Sequence, residues 1–342
     1  MSGNERLPAA WLETLDLPLI AAPMFMVSSV DLVVAACVNG VIGAIPTVNA
    51  RTPAILEDWM AALTARLDAA AAERRPAPWA VNLLVHRTNP RLQDDLAVCV
   101  RHRAPLVITA LGSPRAVVPA IHDYGGLVFA DVSTPEYAFK ASEAGVDGLV
   151  LVCSGAGGHT GQIAAPAFIA AVREFWSGIV VVAGAMSGGG DLRAAQMLGA
   201  DLAYMGTRFI ATRESSAPDR YKQMVVDCAF KDIVCTNAIT GAYANNLRPS
   251  MEAVGIDPDK LQPRDGFDLD HGKDQPKAWK DIWSAGHGVG QVRAIEGAAD
   301  VIARLKAEYG AVVAGELTDP WARKYGAAPA TGARTDCGAA DT

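Results

Sequence analysis

A chain of 342 residues, 51% hydrophobic and 20% charged, has the composition of a core-rich globular protein, one large domain or two modest ones. Its formal charge of -7, with no stripe of Lys and Arg interleaved with aromatics, excludes a nucleic-acid surface. No apolar run is long enough to span a bilayer, and residues 1–13 lack a signal peptide's basic start and apolar run, so the expectation is no membrane association and a cytoplasmic setting.

Cysteines at 37, 99, 153, 228, 235 and 337 are scattered, with no CxxC and no metal-ligand spacing. Reduced thiols and no metal are expected. Cys153, inside an apolar run, reads as a small buried hydrophobe and not as a nucleophile.

Taken in order, the chain repeats one unit, an apolar run followed by a helical stretch. Residues 18–24 read as a strand, and 28–39, which open on serine and aspartate, as a helix. Strand 41–46 precedes a long helix over 52–74 with a Thr-Pro start; strand 79–85 precedes helix 89–102. Strand 106–111 precedes helix 115–123, and strand 127–132 precedes helix 135–144. Strand 149–154 precedes helix 165–175, strand 179–186 precedes helix 192–198, and strand 202–208 closes the series. These runs are nearly continuous in apolar residues instead of alternating, the pattern of parallel strands buried on both faces. Eight such units predict a (β/α)8 TIM barrel, since a doubly wound open sheet usually stops at five or six strands.

From residue 215 to 287 the pattern changes. A helix over 222–230 is followed by a strand-like piece at 232–241, a polar loop at 243–250 and a Pro- and Asp-rich stretch at 257–276. The expected organisation is a barrel from 1–214 and 288–312, a small inserted segment over its mouth from 215–287, and a disordered tail at 327–342. An amphipathic helix over 288–309 packs back on the barrel in this reading. No coiled-coil heptads are present; the expected partners are a small-molecule substrate and dioxygen, with a homo-oligomer left open.

A barrel places chemistry at the carboxyl ends of its strands. Those ends carry Pro23 and Met24, Asn82, Asp131, the loop leading to His159, the glycine-rich loop 184–190, and Gly206-Thr207. Loops 183–191 and 205–208 follow the last two strands, and their backbone N–H groups, aided by a helix N-terminus, suit a phosphate dianion. His159 stands in a loop with four glycines in seven residues, which lets backbone approach a flat ligand. Its imidazole titrates near neutral pH, so it can take a proton from an acidic carbon or, protonated, hold an anion.

The motifs Ala-Ala-Pro-Met at 21–24, Val-Asn-Leu at 81–83, Ala-Gly-Gly-His-Thr-Gly at 156–161, Ala-Gly-Ala-Met-Ser-Gly-Gly at 183–189 and Met-Gly-Thr-Arg-Phe at 205–209 together resemble the nitronate monooxygenase family. Trp283-Ser284-Ala285-Gly286 resembles it too. The wider group includes FMN-dependent enoyl-acyl carrier protein reductases and NADH:quinone reductases. The resemblance implies non-covalent FMN, with Ala22, Pro23 and Met24 along the isoalloxazine, Asn82 at its polar edge, Gly157 and Gly158 near the ring, and Ala183, Gly184, Ala185, Gly206 and Thr207 at the phosphate. His159 is the catalytic residue it implies. Asp131 stands where several relatives carry lysine; an acid there donates a hydrogen bond only when protonated, and capping the 133–135 turn is the alternative. Tyr243, Asn245 and Asn246 are candidates to contact substrate, against the alternative that such amides bond to their own backbone. The implied reaction is oxidation of an alkyl nitronate with dioxygen to a carbonyl compound and nitrite. The alternative is a reductase that takes NAD(P)H as co-substrate and acts on a quinone or enoyl thioester.

Overall fold

The structure, a computed structural model, describes residues 6–266 and 276–326. The expected tail at 327–342 lies outside the described residues.

Eight parallel strands close into a barrel: β1 (Leu19–Ala21), β2 (Ile42–Pro46), β3 (Trp79–Leu84), β4 (Leu106–Ala110), β5 (Leu127–Val132), β6 (Gly148–Val152), and, after the short β7 (Gly158–His159), β8 (Ile179–Ala183) and β9 (Leu202–Met205). Each pairs in parallel with its neighbour, and β1 closes on β9 through Ile20 opposite Tyr204. Every apolar run read as a strand is one. The helices between them begin where sequence chemistry demands: Ser29 accepts a hydrogen bond from Leu32 N, Thr52 before Pro53 from Ile55 N, and Thr134 before Pro135 from Tyr137 N.

Side-chain alternation along these strands decides what faces the barrel axis. Ile20, Ala80, Phe129, Val150, Val181 and Leu202 share the inner core, which Trp11 plugs from below at 6.2 Å from the Phe129 ring. Two residues further up each strand the same face carries Ala22, Asn82, Asp131, Val152, Ala183 and Tyr204, and these floor the mouth. The outer faces pack against the helical shell in a second, larger core.

Over the mouth, β10 (Ile233–Thr236) and β11 (Ala244–Leu247) form an antiparallel pair, and β11 pairs on its other edge with β7. The stretch expected as a polar loop at 243–250 is therefore a buried strand running into a short helix, Arg248–Glu252. Its two asparagines are held by bonds from Asn245 Nδ2 and to Asn246 Oδ1 inside the fold, as described below. The expected helix over 288–309 also differs: His287–Gln291 is a 3-10 turn, and the α-helix runs from Ala298 to Glu316. Asp300, three residues past Gly297, accepts from Gly297 N and starts it there. The cover is fused to the barrel by apolar contacts, with Val27, Ile210 and Ala211 packing in one cluster with Tyr221, Val225, Leu247 and Val289.

Candidate active site

A cavity of about 260 Å³ occupies the mouth. All residues expected at the cofactor line it: Ala22, Pro23 and Met24 from the end of β1, Asn82 from β3, Asp131 from β5, Gly157 and Gly158 beside His159, Ala183, Gly184 and Ala185 after β8, and Gly206 and Thr207 after β9. Residues far apart in sequence meet here because each sits one or two positions past the core of a different strand.

The turn after β1 is held rigidly. Met24 N donates to Ser28 Oγ at 2.9 Å, and Asn49 clamps the far side, accepting from Met26 N and donating to the Met24 and Ser28 carbonyls. Asn82 donates from Nδ2 to Ile108 O at 3.1 Å, so its Oδ1 is the end left for a ligand.

His159 lies in β7, held by the ladder to Ala244, and its Nε2 is 3.2 Å from Thr240 Oγ1. The Trp279 ring stands edge-on to the imidazole at 4.9 Å and meets Phe25 at 6.4 Å, closing one side of the cavity. Burial pushes the imidazole down to about 4. The ring is thus neutral at neutral pH, which favours the base over the protonated anion holder.

Asp131 shows the opposite shift. Burial raises its carboxyl to about 7, and Oδ1 has no hydrogen-bond partner. It does not cap the 133–135 turn, a task Thr134 performs. Tyr204, whose hydroxyl also lacks a partner, is close enough for the Asp131 charge to raise its phenol further. Two orphaned polar groups on the floor of one cavity are a mark of a ligand's place.

The phosphate reading needs one correction. The helix N-terminus at Gly189–Met197 is already occupied: Ser187 N and Gly188 N donate to Asp191 Oδ2 at 2.8 Å each, and Gly189 N to Glu308 Oε2 at 2.7 Å. Two carboxylates there oppose a phosphate dianion. Ala185, at a left-handed φ of 57°, spends its N–H on Gly155 O at 3.3 Å. Backbone at Gly184, Gly206 and Thr207 remains. Gly184 has φ of 121°, and a Cβ there would stand 2.7 Å from Ser154 O. A Cβ on Gly206 would face Met24 Sδ at 3.4 Å and Ala22 at 3.7 Å, inside the cavity lining. Thr207 Oγ1 accepts from Gly286 N at 2.8 Å and keeps its own proton to donate. Glycine cradle, unpartnered floor groups and amide edge together fit a flat, phosphorylated cofactor such as a flavin.

The substrate candidates divide. Asn245 donates from Nδ2 to Ala156 O at 2.7 Å, and Asn246 Oδ1 accepts from Ser284 Oγ at 3.0 Å. Both are buried and neither lines the cavity; Asn245 braces the loop that carries His159, and Asn246 ties its strand to Ser284. Tyr243 is half exposed and lines a second cavity beside the first. Sequence reasoning missed Trp279 and Tyr204. A tryptophan in an aperiodic loop gave no signal, whereas Tyr204, two residues after inward Leu202, was findable from strand parity.

Residues 9–254 match the nitronate monooxygenase profile. The chain belongs to the nitronate monooxygenase family. That is a family of flavin-dependent oxidoreductases. The chain is 30% identical over 230 residues to a nitronate monooxygenase of Paraburkholderia phytofirmans, covering 62% of this chain and 63% of that one. It is 25% identical over 249 residues to a (3aS,4S,5R,7aS)-5-hydroxy-7a-methyl-1-oxo-octahydro-1H-indene-4-carboxyl-CoA dehydrogenase of Mycobacterium tuberculosis, covering 72% and 67%. The matched segments span 48% to 67% of these and a further relative. In fold the chain is similar to FabK from Thermotoga maritima, with a TM-score of 0.73, 22% identity and coverage of 90% and 97%. Among the described residues no helix is long and apolar enough to cross a membrane, and no cluster of His, Cys, Asp and Glu could hold a metal ion.

Proposed function

We propose that the chain is an FMN-dependent nitronate monooxygenase, converting an alkyl nitronate and dioxygen to a carbonyl compound and nitrite. The observation that carries this reading is a neutral, oriented imidazole facing the same cavity as the flavin-compatible lining. Bound FMN would accept electrons from the substrate and pass them to dioxygen.

The chain's own groups bind, orient and handle protons. The loops at Gly184 and at Gly206–Thr207 would hold the phosphate by backbone N–H groups. Ala22, Pro23 and Met24 offer an apolar wall to the ring, and Asn82 Oδ1 a hydrogen-bond acceptor to its edge. Thr240 is 3.2 Å from Ala242 O, an acceptor for its hydroxyl proton, so Nε2 of His159 carries the ring hydrogen and the imidazole is held in one orientation. The neutral ring's one hydrogen is committed to Thr240, so its part is to take the α-carbon proton of a parent nitroalkane, leaving the nitronate that is then oxidised. Asp131, protonated below about 7, donates from the floor without adding negative charge. Trp279 and Phe25 keep bulk water from His159.

The similarity to a carboxyl-CoA dehydrogenase favours one second reading, an NAD(P)H-dependent flavin reductase acting on a quinone or enoyl thioester. One experiment separates them. FMN-loaded protein is mixed anaerobically with propyl-2-nitronate, NADH or NADPH while the flavin spectrum is followed. Bleaching by the nitronate, with nitrite formed on admission of air, supports the monooxygenase; rapid bleaching by a pyridine nucleotide with none by the nitronate overturns it.

A further inference from the structure

A second cavity of about 730 Å³ lies beside the first, over the ends of β3 to β6. Asp131, Val152 and His159 line both, so these residues form the neck between them. The walls are apolar, with Leu84, Ala110, Leu111, Pro114, Val132 and Val152 contributed by strand ends and the loops that follow. At the rim stand two aromatic rings from different elements, Tyr137 of the helix Pro135–Ser142 and Tyr243 of the cover, 57% and 47% exposed. His86 and Lys140 are the other titratable side chains on its wall.

This volume lies within the range of roughly 300–1,000 Å³ that encloses a drug-sized ligand. A short nitronate of a few heavy atoms leaves most of it filled with water against apolar walls. The buried, unpartnered Asp131 Oδ1 stands at the neck, within reach of a ligand in either cavity.

We infer that the second cavity holds the carbon skeleton of the substrate, an apolar body of drug-like size whose polar head reaches Asp131 and His159 at the neck. This rests on the proposed reaction for the identity of the head group and on the cavity for the body. The flavin then occupies the first cavity and the reacting carbon sits where the two meet.

The test uses the FMN-loaded full chain and two probe series. For 1-nitronates from propyl to decyl, kcat/KM rises at least tenfold, since each methylene removed from water is worth about fourfold. A flat or falling series overturns the inference. Independently of turnover, decan-2-one binds at least tenfold more tightly than butan-2-one, read from the flavin absorbance shift; equal affinities overturn it. Length-dependent ketone binding without nitronate turnover supports the cavity assignment and removes the monooxygenase reading. Ala110→Phe narrows the cavity and reduces the decyl-to-propyl ratio of kcat/KM by at least threefold in protein with normal FMN content. Tyr137→Ala, at an exposed position that folding tolerates, lowers the same ratio. An unchanged ratio in both variants overturns the inference.

Discussion

Nε2 of His159 lies 3.2 Å from Oγ1 of Thr240, a residue of the cover 81 positions further along the chain. The imidazole is therefore aimed by the segment that roofs the site, and its loss and its misorientation have separable effects. His159→Ala retains FMN and loses about 100-fold or more in kcat, the scale of a general base. Thr240→Val retains the ring and loses about tenfold in kcat with an unchanged FMN content. Steady-state rates and flavin content of purified variants check both; a His159→Ala enzyme at wild-type rate would remove this residue from the chemistry.

Asp131 and His159 make opposite demands on pH. A carboxyl raised from 3.8 to about 7 by burial favours the protonated folded form, so its contribution to stability is present below 3.8 and is lost as pH rises to about 7. An imidazole lowered from 6.5 to about 4 contributes above 6.5 and loses that contribution as pH falls to about 4. Asp131→Asn removes the ionisation penalty. It is expected to be more stable than wild type at pH 8, by at most roughly 4 kcal/mol, and about equal at pH 4. Urea unfolding at the two pH values measures this.

Gly206 faces the cavity with a backbone φ of -102°, which any residue adopts, and an added methyl would meet Met24 at ordinary contact distance. Gly206→Ala should fold with a thermal midpoint close to wild type and bind FMN about tenfold more weakly. Fluorescence titration of the apoprotein with FMN reports the affinity. An unchanged value would move the flavin away from the β9 loop.

The acid-saturated helix start at Gly189 makes a contrasting case. Glu308→Gln weakens the hydrogen bond from Gly189 N and costs on the order of 1 kcal/mol in stability. FMN affinity changes less than twofold if that N-terminus takes no part in phosphate binding. A tenfold change in either direction, read by the same titration, would return the helix start to the phosphate site.

The barrel was legible because each strand is a short apolar run closed by glycine, proline or a polar residue, and because the unit repeats. The cofactor candidates were legible for the same reason, since the chemistry falls at the ends of recognisable runs. Strand Ala244–Leu247 was not: its two asparagines are poor strand formers, and what keeps them is bonding to Ala156 and Ser284 from elsewhere in the chain. The second cavity left no local trace either. Leu84, Ala110 and Val152 are unremarkable core-like residues, and only the curvature of the barrel brings their strand ends around one space.

Because His159 is itself a strand residue, paired through its backbone with Ala244, it belongs to two structures at once. Grafting the glycine-rich loop alone onto another barrel would deliver the imidazole without its aim. A transplant that works must carry 233–247 along with 153–161, and a laboratory chimera that exchanges covers to change substrate range will shift the base at the same stroke.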